Sequence, residues 1–96
     1  MFLFNEYLLQ KIEDPEIKKI YLDREPEFQI SWAIASYRAN SGISQNGLSE
    51  KTGISAATIR ALETGDGNPS LETLKKLASG MNLRLVIQFE PESTKD

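Results

Sequence analysis

Apolar side chains recur at spacings of three and four residues along most of the chain, which predicts a mainly helical protein. A first short helix is indicated over residues 4–12. A second begins where Asp14, a capping residue, precedes Pro15 at the first helical position. The same acid–proline signal at Glu25 opens a longer helix that runs to about Asn40.

Serine and glycine residues mark three shorter helices in the second half of the chain. Serine is a favoured N-cap because its hydroxyl accepts a hydrogen bond from the first turn, and glycine ends helices by adopting a left-handed conformation. A polar loop, residues 64–69, separates the last two helices. The predicted caps are Ser44, Ser55 and Ser70, and the predicted stops are Gly42, Gly53 and Gly80.

After residue 82 the pattern changes from helical periodicity to alternation, which predicts one β-strand. The residues that share its apolar face are Leu83, Leu85, Ile87 and Phe89. An isolated strand leaves its backbone groups unpaired, and the chain offers no second convincing strand. We therefore predict a homodimer in which two C-terminal strands pair. The alternative is a strand docked on the helices of its own chain.

The chain has 96 residues, a length that fits one small domain. Its net charge of −3 argues against nucleic-acid binding by bulk attraction alone. The charge is unevenly distributed. Residues 1–31 contain seven acidic and four basic residues, whereas residues 32–79 contain four acidic and five basic residues. The acidic character is therefore concentrated in the N-terminal segment.

The absence of cysteine and histidine excludes disulfides, Cys/His zinc sites and Cys–His or Ser–His catalysis. No carboxylate pair is accompanied by a nucleophile or base, so an enzyme is the weakest interpretation, and no metal or other cofactor is expected. The first residues lack a basic leader, and no apolar stretch is long enough for a membrane helix. We expect a cytoplasmic protein without a small-molecule substrate.

The segment from Ser44 to Glu63 has the spacing of a helix-turn-helix, two short helices joined by a tight turn at Gly53. With about 3.6 residues per turn, Ile59 and Leu62 share one side of the second helix, and small residues lie on the other. A helix that enters the major groove needs short side chains near its N-terminus, so that its backbone can approach the bases. The alternative is that the alanines reflect only helix propensity.

From Arg38 to Leu77 the chain reads R-x(4)-I-S-Q-x-x-L-S-x-x-T-G-I-S-x-x-T-I-x-x-L-E-x-G…N-P-S-x-x-T-L-x-x-L. This pattern resembles the lambda-repressor-like helix-turn-helix family, also called the XRE family. The family fold is a bundle of five short helices, of which the third is the recognition helix. Together with the periodicity, the resemblance predicts such a bundle with an N-terminal helical extension and one C-terminal strand that pairs in a homodimer.

The resemblance also implies roles for individual residues. Gln45 would bond a DNA phosphate and brace the recognition helix, and Arg38 and Glu63 would form an ion pair that ties the first helix of the bundle to it. The residues implied to face the major groove are Ser55, Ala56, Ala57, Arg60 and Ala61, and those implied to contact phosphates are Thr64, Asn68 and Ser70. Gly47 departs from the family pattern and lowers helix propensity by about 1 kcal/mol.

The acidic N-terminal helices resemble, in order and composition, the lead-in of HigA-type antitoxins from bacterial toxin–antitoxin operons. That resemblance implies repression of the protein's own operon and a partner, a small basic HigB ribonuclease of the RelE type that cleaves mRNA. An acidic pair of helices with an apolar stripe fits a cationic surface. The candidate toxin-binding residues are Phe4, Tyr7, Leu8, Glu13, Glu16, Ile17, Ile20 and Tyr21.

We thus predict four regions and an antitoxin that binds operator DNA. The regions are a toxin-binding extension (1–30), a DNA-binding domain (31–80), a dimerisation strand (81–90) and a disordered tail (91–96). The dimer would bind half-sites about 34 Å apart. Two alternatives remain open: a stand-alone repressor without a toxin, and a helix-turn-helix module that binds protein instead of DNA.

Overall fold

The computed structural model describes residues 13–91, and this part of the chain contains five α-helices. They are α1 (Pro15–Asp23), α2 (Glu25–Ser41), α3 (Gln45–Thr52), α4 (Ala56–Glu63) and α5 (Leu71–Gly80). The predicted mainly helical fold is confirmed, with the helix order expected from residue 14 onward. The predicted helix over residues 4–12, which carries Phe4, Tyr7 and Leu8, and tail residues 92–96 lie outside the described residues.

Side-chain caps begin four of the five helices at the predicted residues. Each capping oxygen accepts a hydrogen bond from an amide that has no partner within its own helix. The donor–acceptor distances are 2.9 Å for Asp14 and Ser44 and 3.1 Å for Ser55 and Ser70. None of the helices in residues 13–91 combines the length and the apolar character needed to span a membrane.

An apolar core lies between α2, α3, α4 and α5. Its most enclosed side chains are Ile34, Leu48 and Ile59, which come from α2, α3 and α4 and are at most 1% exposed. Leu62, Leu77 and other apolar residues complete the cluster. Burial of these side chains is the main favourable term in folding, so the core fixes the relative positions of the four helices.

Helix α5 approaches α3 closely because Gly80 has no side chain. A Cβ atom at Gly80 would lie 2.5 Å from Cγ2 of Thr52 and 3.3 Å from its Cα. Thr52 cannot easily withdraw, since its hydroxyl donates a hydrogen bond to the Leu48 carbonyl at 2.8 Å. The helix ends at Gly80, as predicted, and the missing side chain also lets α5 pack closely against α3.

Helix α1 packs along the beginning of α2 without burying any of its own residues. The rings of Tyr21 and Phe28 lie 5.1 Å apart and join the two helices. Burial, followed by the neighbouring Glu25 carboxylate, raises the pKa of Tyr21. Ile17 and Ile20 remain 54% and 63% exposed. The N-terminal helix is therefore attached to the bundle by one edge.

The segment after α5 forms no strand in the single chain, so the structure does not support the predicted β-strand. A strand is defined by a backbone ladder, and residues 13–91 supply no second strand to form one. The predicted apolar face is not distinct either: Leu85 is half-buried, but Ile87, Phe89 and the predicted outward residue Val86 are 56%, 97% and 59% exposed. Leu83 is 50% exposed.

Candidate nucleic-acid interface

The two helices of the predicted helix-turn-helix are α3 and α4, which are separated by three residues, 53–55. Gly53 reverses the chain in the left-handed conformation predicted for it, with φ at 80°. Ile54 then buries its side chain in the core, where it is 8% exposed. The connection is therefore anchored at its centre, and α4 leaves it in a fixed direction.

The two sides of α4 differ in burial as the periodicity predicted. Ile59 and Leu62 are 0% and 3% exposed on the core side, whereas Ala57 and Arg60 are exposed on the other side. Because Ala57 carries only a methyl group, the backbone of the first turn of α4 lies close to the protein surface. A nucleobase edge can approach such a surface closely.

The other predicted groove-facing residues are less open. Ala56 and Ala61 are half-buried, and a Cβ at Gly67 would lie 3.7 Å from the Ala61 methyl, so the loop after α4 partly covers that methyl. Ser55 is exposed, but its hydroxyl already donates to Thr58 Oγ1 at 2.9 Å while it caps the helix. The open part of the surface is therefore its N-terminal half, with Arg60 as its exposed cation.

Glu63, the last residue of α4, joins three helices through its hydrogen bonds. Its carboxylate accepts from Nε of Arg38 in α2 at 3.0 Å and from the side-chain amide of Gln45 in α3. Its backbone carbonyl accepts from the hydroxyl of Ser31 in α2. The side chains of Arg38 and Glu63 are 26% and 12% exposed. Removing one member would leave the other charge poorly solvated, so this cluster fixes α4 against α2 and α3.

Gln45 contacts Glu63 in the structure, which is the bracing geometry implied by the family resemblance. Its Nε2 donates to Glu63 Oε1, and the side chain is half-buried. An amide nitrogen carries two hydrogens, so Gln45 can hold Glu63 with one and offer the other to a phosphate. The phosphate contact itself stays a prediction.

The predicted phosphate-contacting residues surround the loop between α4 and α5. Thr64, Asn68 and Ser70 are all exposed. The Thr64 hydroxyl donates to the Ala61 carbonyl at 2.9 Å, and the Ser70 hydroxyl donates to Thr73 Oγ1 at 3.1 Å. Because these hydroxyls donate within the protein, phosphate binding at this loop would use Asn68 and the free amides at the start of α5.

Two contacts to the end of α4 involve residues that the sequence analysis did not select. Nη2 of Arg24 donates to the Gly65 carbonyl at 2.8 Å, and Ser31 donates to the Glu63 carbonyl. The partners are 41 and 32 residues apart in sequence. No local motif reports a contact over such a separation, so only the fold reveals it.

The predicted toxin-binding residues that the structure describes do not share one environment. Glu13, Glu16, Ile17 and Ile20 are exposed, whereas Tyr21 is half-buried against Phe28.

Within residues 13–91, no group of three or more acidic, histidine or cysteine side chains is arranged to hold a metal ion.

The boundary predicted between residues 30 and 31 falls inside α2, which is continuous from Glu25 to Ser41. Residues on both sides of that boundary bond to the end of α4 or just beyond it. Arg24, before the boundary, bonds to Gly65, which follows the cap of α4, and Ser31, after it, bonds to Glu63, the last residue of α4. The N-terminal segment and the helix-turn-helix therefore share a helix. The division of function at this boundary stays a prediction.

Comparison with known proteins identifies the same motif. Residues 34–87 match the model of the helix-turn-helix family. A protein of Archaeoglobus fulgidus, described as an uncharacterized HTH-type transcriptional regulator, is 40% identical over 52 residues, which cover 54% of this chain and 74% of that protein. No solved structure gives a significant match. The segment that matches the family model begins within α2 and leaves out α1.

Proposed function

We propose that this chain, which belongs to the helix-turn-helix family, is a transcriptional regulator that binds double-stranded DNA through the first turns of α4. The observation that carries this proposal is the two-sided burial of α4. Ile59 is fully buried, Ala57 and Arg60 are exposed, and Glu63 fixes the end of the helix against α2 and α3. A short, rigidly held helix with small outer side chains fits the major groove.

The proposed interface divides the work between base reading and phosphate binding. Arg60 is the side chain that can bond a guanine edge, and the methyl of Ala57 can contact a thymine methyl. Gln45, Asn68 and the N-terminal amides of α5 hold the phosphates. Because the exposed surface of α4 offers alanines and one arginine for base reading, sequence-dependent DNA shape supplies part of the specificity. The printed description of the Archaeoglobus relative as a transcriptional regulator supports the same function.

Selection of duplexes from a random-sequence library, followed by fluorescence anisotropy with the best duplex, tests this proposal. We expect the Kd to rise with salt concentration, because binding releases counterions from the DNA. Arg60→Ala should weaken binding by about fivefold or more, as expected for the loss of a base contact worth ~1–3 kcal/mol. Lys76→Ala, on α5, is the control. Failure to enrich any sequence, or equal affinities of the two variants, would contradict the proposal.

We further propose that the regulator acts as a homodimer joined through residues 83–90. Leu83, Ile87 and Phe89 are half or more exposed, and pairing of two such segments would cover them and satisfy the backbone. A dimer would also present two α4 helices to successive major grooves. Sedimentation equilibrium should give a dimer that Ile87→Lys dissociates and Gln88→Lys does not. A monomeric wild-type protein would contradict this assembly.

A narrower function, neutralisation of a basic ribonuclease toxin of the HigB or RelE type, is proposed for α1. This helix exposes Ile17, Ile20 and the acidic Glu16, and Glu13 is exposed just before it begins, a combination that fits a cationic protein surface with apolar positions. The features of α4 support a stand-alone regulator equally well. Such a regulator would bind no toxin through the apolar and acidic surface of α1.

Co-expression with the neighbouring gene product separates these two functions. If the chain is an antitoxin, the partner should co-purify with the wild-type chain and with Arg60→Ala, but not with the double variant Ile17→Ser, Ile20→Ser. Both residues are exposed, so this double variant should stay folded. If no neighbouring product co-purifies with the wild-type chain, the stand-alone regulator is favoured.

A further inference from the structure

The loop of residues 64–69 leaves α4 through a hydrogen-bonded turn. Gly65 is left-handed, with φ at 83°. The amide of Asp66 donates to the Ala61 carbonyl at 2.9 Å, and the amide of Gly65 donates to the Leu62 carbonyl at 3.2 Å. This pair of bonds is a Schellman motif, which ends a helix and sets the direction of the chain that follows.

The 64–69 loop contains two residues with unusual conformational freedom. Gly65 and Gly67 both have positive φ, at 83° and 97°, and glycine enters such conformations without the steric cost of a side chain. Asn68, which is predicted to meet the DNA backbone, follows both glycines in this loop. Its position therefore depends on contacts that hold the glycines in one conformation.

Arg24 supplies such a contact from the junction between α1 and α2. Its guanidinium donates to the Gly65 carbonyl at 2.8 Å, and a Cβ at Gly65 would lie 3.5 Å from the same Nη2 atom. A charged donor makes a stronger hydrogen bond than a neutral one, and a cation is favoured near the carbonyl end of a helix. Arg24 is exposed, so solvent screening keeps its effect on global stability small. The hydrogen bond of Arg24 instead stabilises the conformation of the 64–69 loop.

We propose that Arg24 is a positioning residue for DNA binding. By holding the Gly65 carbonyl, it keeps the 64–69 loop in the conformation that presents Asn68 and the start of α5 to the phosphates. This inference rests on the proposed DNA-binding function. It extends the DNA-binding unit to a residue outside the segment 34–87 that matches the family model.

The proposal is tested by measuring the affinity of Arg24→Gln for the duplex selected with the wild-type protein. Loss of a charge-assisted hydrogen bond that orders the loop should raise the Kd by about five- to tenfold. Lys19→Gln is the matched control, since it removes the same charge from an exposed site on α1. We expect a change of less than about twofold for this control, because exposed charges are screened by salt. Arg24→Lys, which keeps the charge and one donor nitrogen, should recover most of the affinity.

Two further measurements separate positioning from other roles. A direct phosphate contact would reduce the salt dependence of log K by about one unit when Arg24 is lost, whereas a positioning role leaves that slope unchanged. In the free protein, hydrogen exchange at the Asp66 amide should be faster in Arg24→Gln than in the wild type. Exchange at the core amide of Ile59 should stay the same, which shows that the variant is folded.

Several results would overturn the inference: an unchanged Kd for Arg24→Gln, an equal loss in Lys19→Gln, a reduced salt slope, or unchanged exchange at Asp66. If Arg24→Gln does not fold, the comparison is made with Arg24→Lys, and a tenfold loss there would contradict a role that one retained donor can fill. If the wild type binds no selected duplex, the proposed function fails and this inference fails with it. If the wild type binds and Arg24→Gln binds equally well, only this inference fails.

Discussion

Side chains are buried and hydrogen-bonded to very different extents in two regions of the molecule. These regions are the helix-turn-helix core (residues 34–81) and the outer segments (residues 13–27 and 83–90). In the core, Leu48 and Ile59 are fully buried, and the carboxylate of Glu63 accepts hydrogen bonds from two neighbouring helices. In the outer segments, no residue of α1 is buried. Individual atoms there can still be enclosed. The Tyr21 hydroxyl and Glu27 Oε1 are the two buried side-chain polar atoms that lack a hydrogen-bond partner within the described residues.

The contrast indicates where each region obtains its stability. The core is fixed by contacts within one chain, so it can hold α4 in place before any ligand arrives. The outer segments leave apolar side chains such as Ile20 and Phe89 in solvent at 63% and 97% exposure. Substitutions should therefore change folding stability in the core, and assembly or partner binding in the outer segments.

The largest difference is expected between core and surface truncations. Leu48→Ala removes a fully buried side chain and should lower the free energy of unfolding by ~2–5 kcal/mol. Ile20→Ala, on the exposed face of α1, should change it by less than about 0.5 kcal/mol. Urea denaturation measures both. Comparable losses would mean that α1 belongs to the same cooperative core.

A second difference is expected between two carboxylates. Glu63→Ala leaves Arg38 and Gln45 without their acceptor and should cost ~1–3 kcal/mol in the free energy of unfolding. Glu72→Ala removes an exposed pair with Lys76 at 3.8 Å and should cost less than about 0.5 kcal/mol. Thermal unfolding of the two variants provides the measurement. A Glu63 variant as stable as the Glu72 variant would show that the cluster does not hold α4.

Two glycines sharpen the comparison within the core itself. In Gly80→Ala the new Cβ meets Thr52, including its backbone, and overpacking should cost about 1 kcal/mol net. In Gly47→Ala the contacts are 2.7 Å to Cγ1 of Ile43 and 3.3 Å to the capping Oγ of Ser44; both are side-chain atoms, so a rotation of Ile43 can relieve the closer one without a backbone shift. The gain in helix propensity, about 1 kcal/mol, then offsets the contact. The denaturation midpoints should therefore fall for Gly80→Ala alone.

The smallest effect is a pH dependence in the outer segments. Burial and the nearby Glu90 carboxylate raise the pKa of Glu25. A carboxyl with a higher pKa in the folded state opposes folding when ionised. Its penalty disappears as the pH falls through the folded-state pKa and is gone below the ordinary value of about 4.3.

Glu25→Gln should therefore stabilise the protein at pH 7, by less than about 0.5 kcal/mol because solvent screens this half-exposed site. The gain should vanish below about pH 4. Glu16→Gln is the control because Glu16 also lies in the first turn of a helix. Thermal unfolding between about pH 3 and pH 7 measures both variants, and an equal gain in the control would contradict the assignment.

Local signals in the sequence predicted most of the core. The serine caps, the left-handed Gly53 and the periodic burial of Ile59 and Leu62 depend on residues within one helical turn of each other, so the sequence pattern carries them. The small outer surface of α4 followed from the same periodicity.

Apart from the Arg38–Glu63 ion pair, which the family resemblance implied, features that depend on distant partners were not predicted. Arg24 reaches Gly65 across 41 residues, and no motif signals that contact. The alternation from Leu83 to Phe89 signals a strand, but a strand needs a second backbone, and residues 13–91 of one chain do not supply it. The end of α5 at Gly80 was predicted from its residue type, but the close approach of Gly80 to Thr52 has no local signal.

The central claim is that the exposed N-terminal face of α4 meets duplex DNA, and an NMR titration of the ¹⁵N-labelled protein with its selected duplex tests it most directly. The account predicts that the largest amide shift changes occur from Ser55 to Arg60, with smaller ones at Gln45 and Asn68. It predicts little change in α1. Shift changes concentrated in α1 or in residues 83–90, with α4 unaffected, would contradict it.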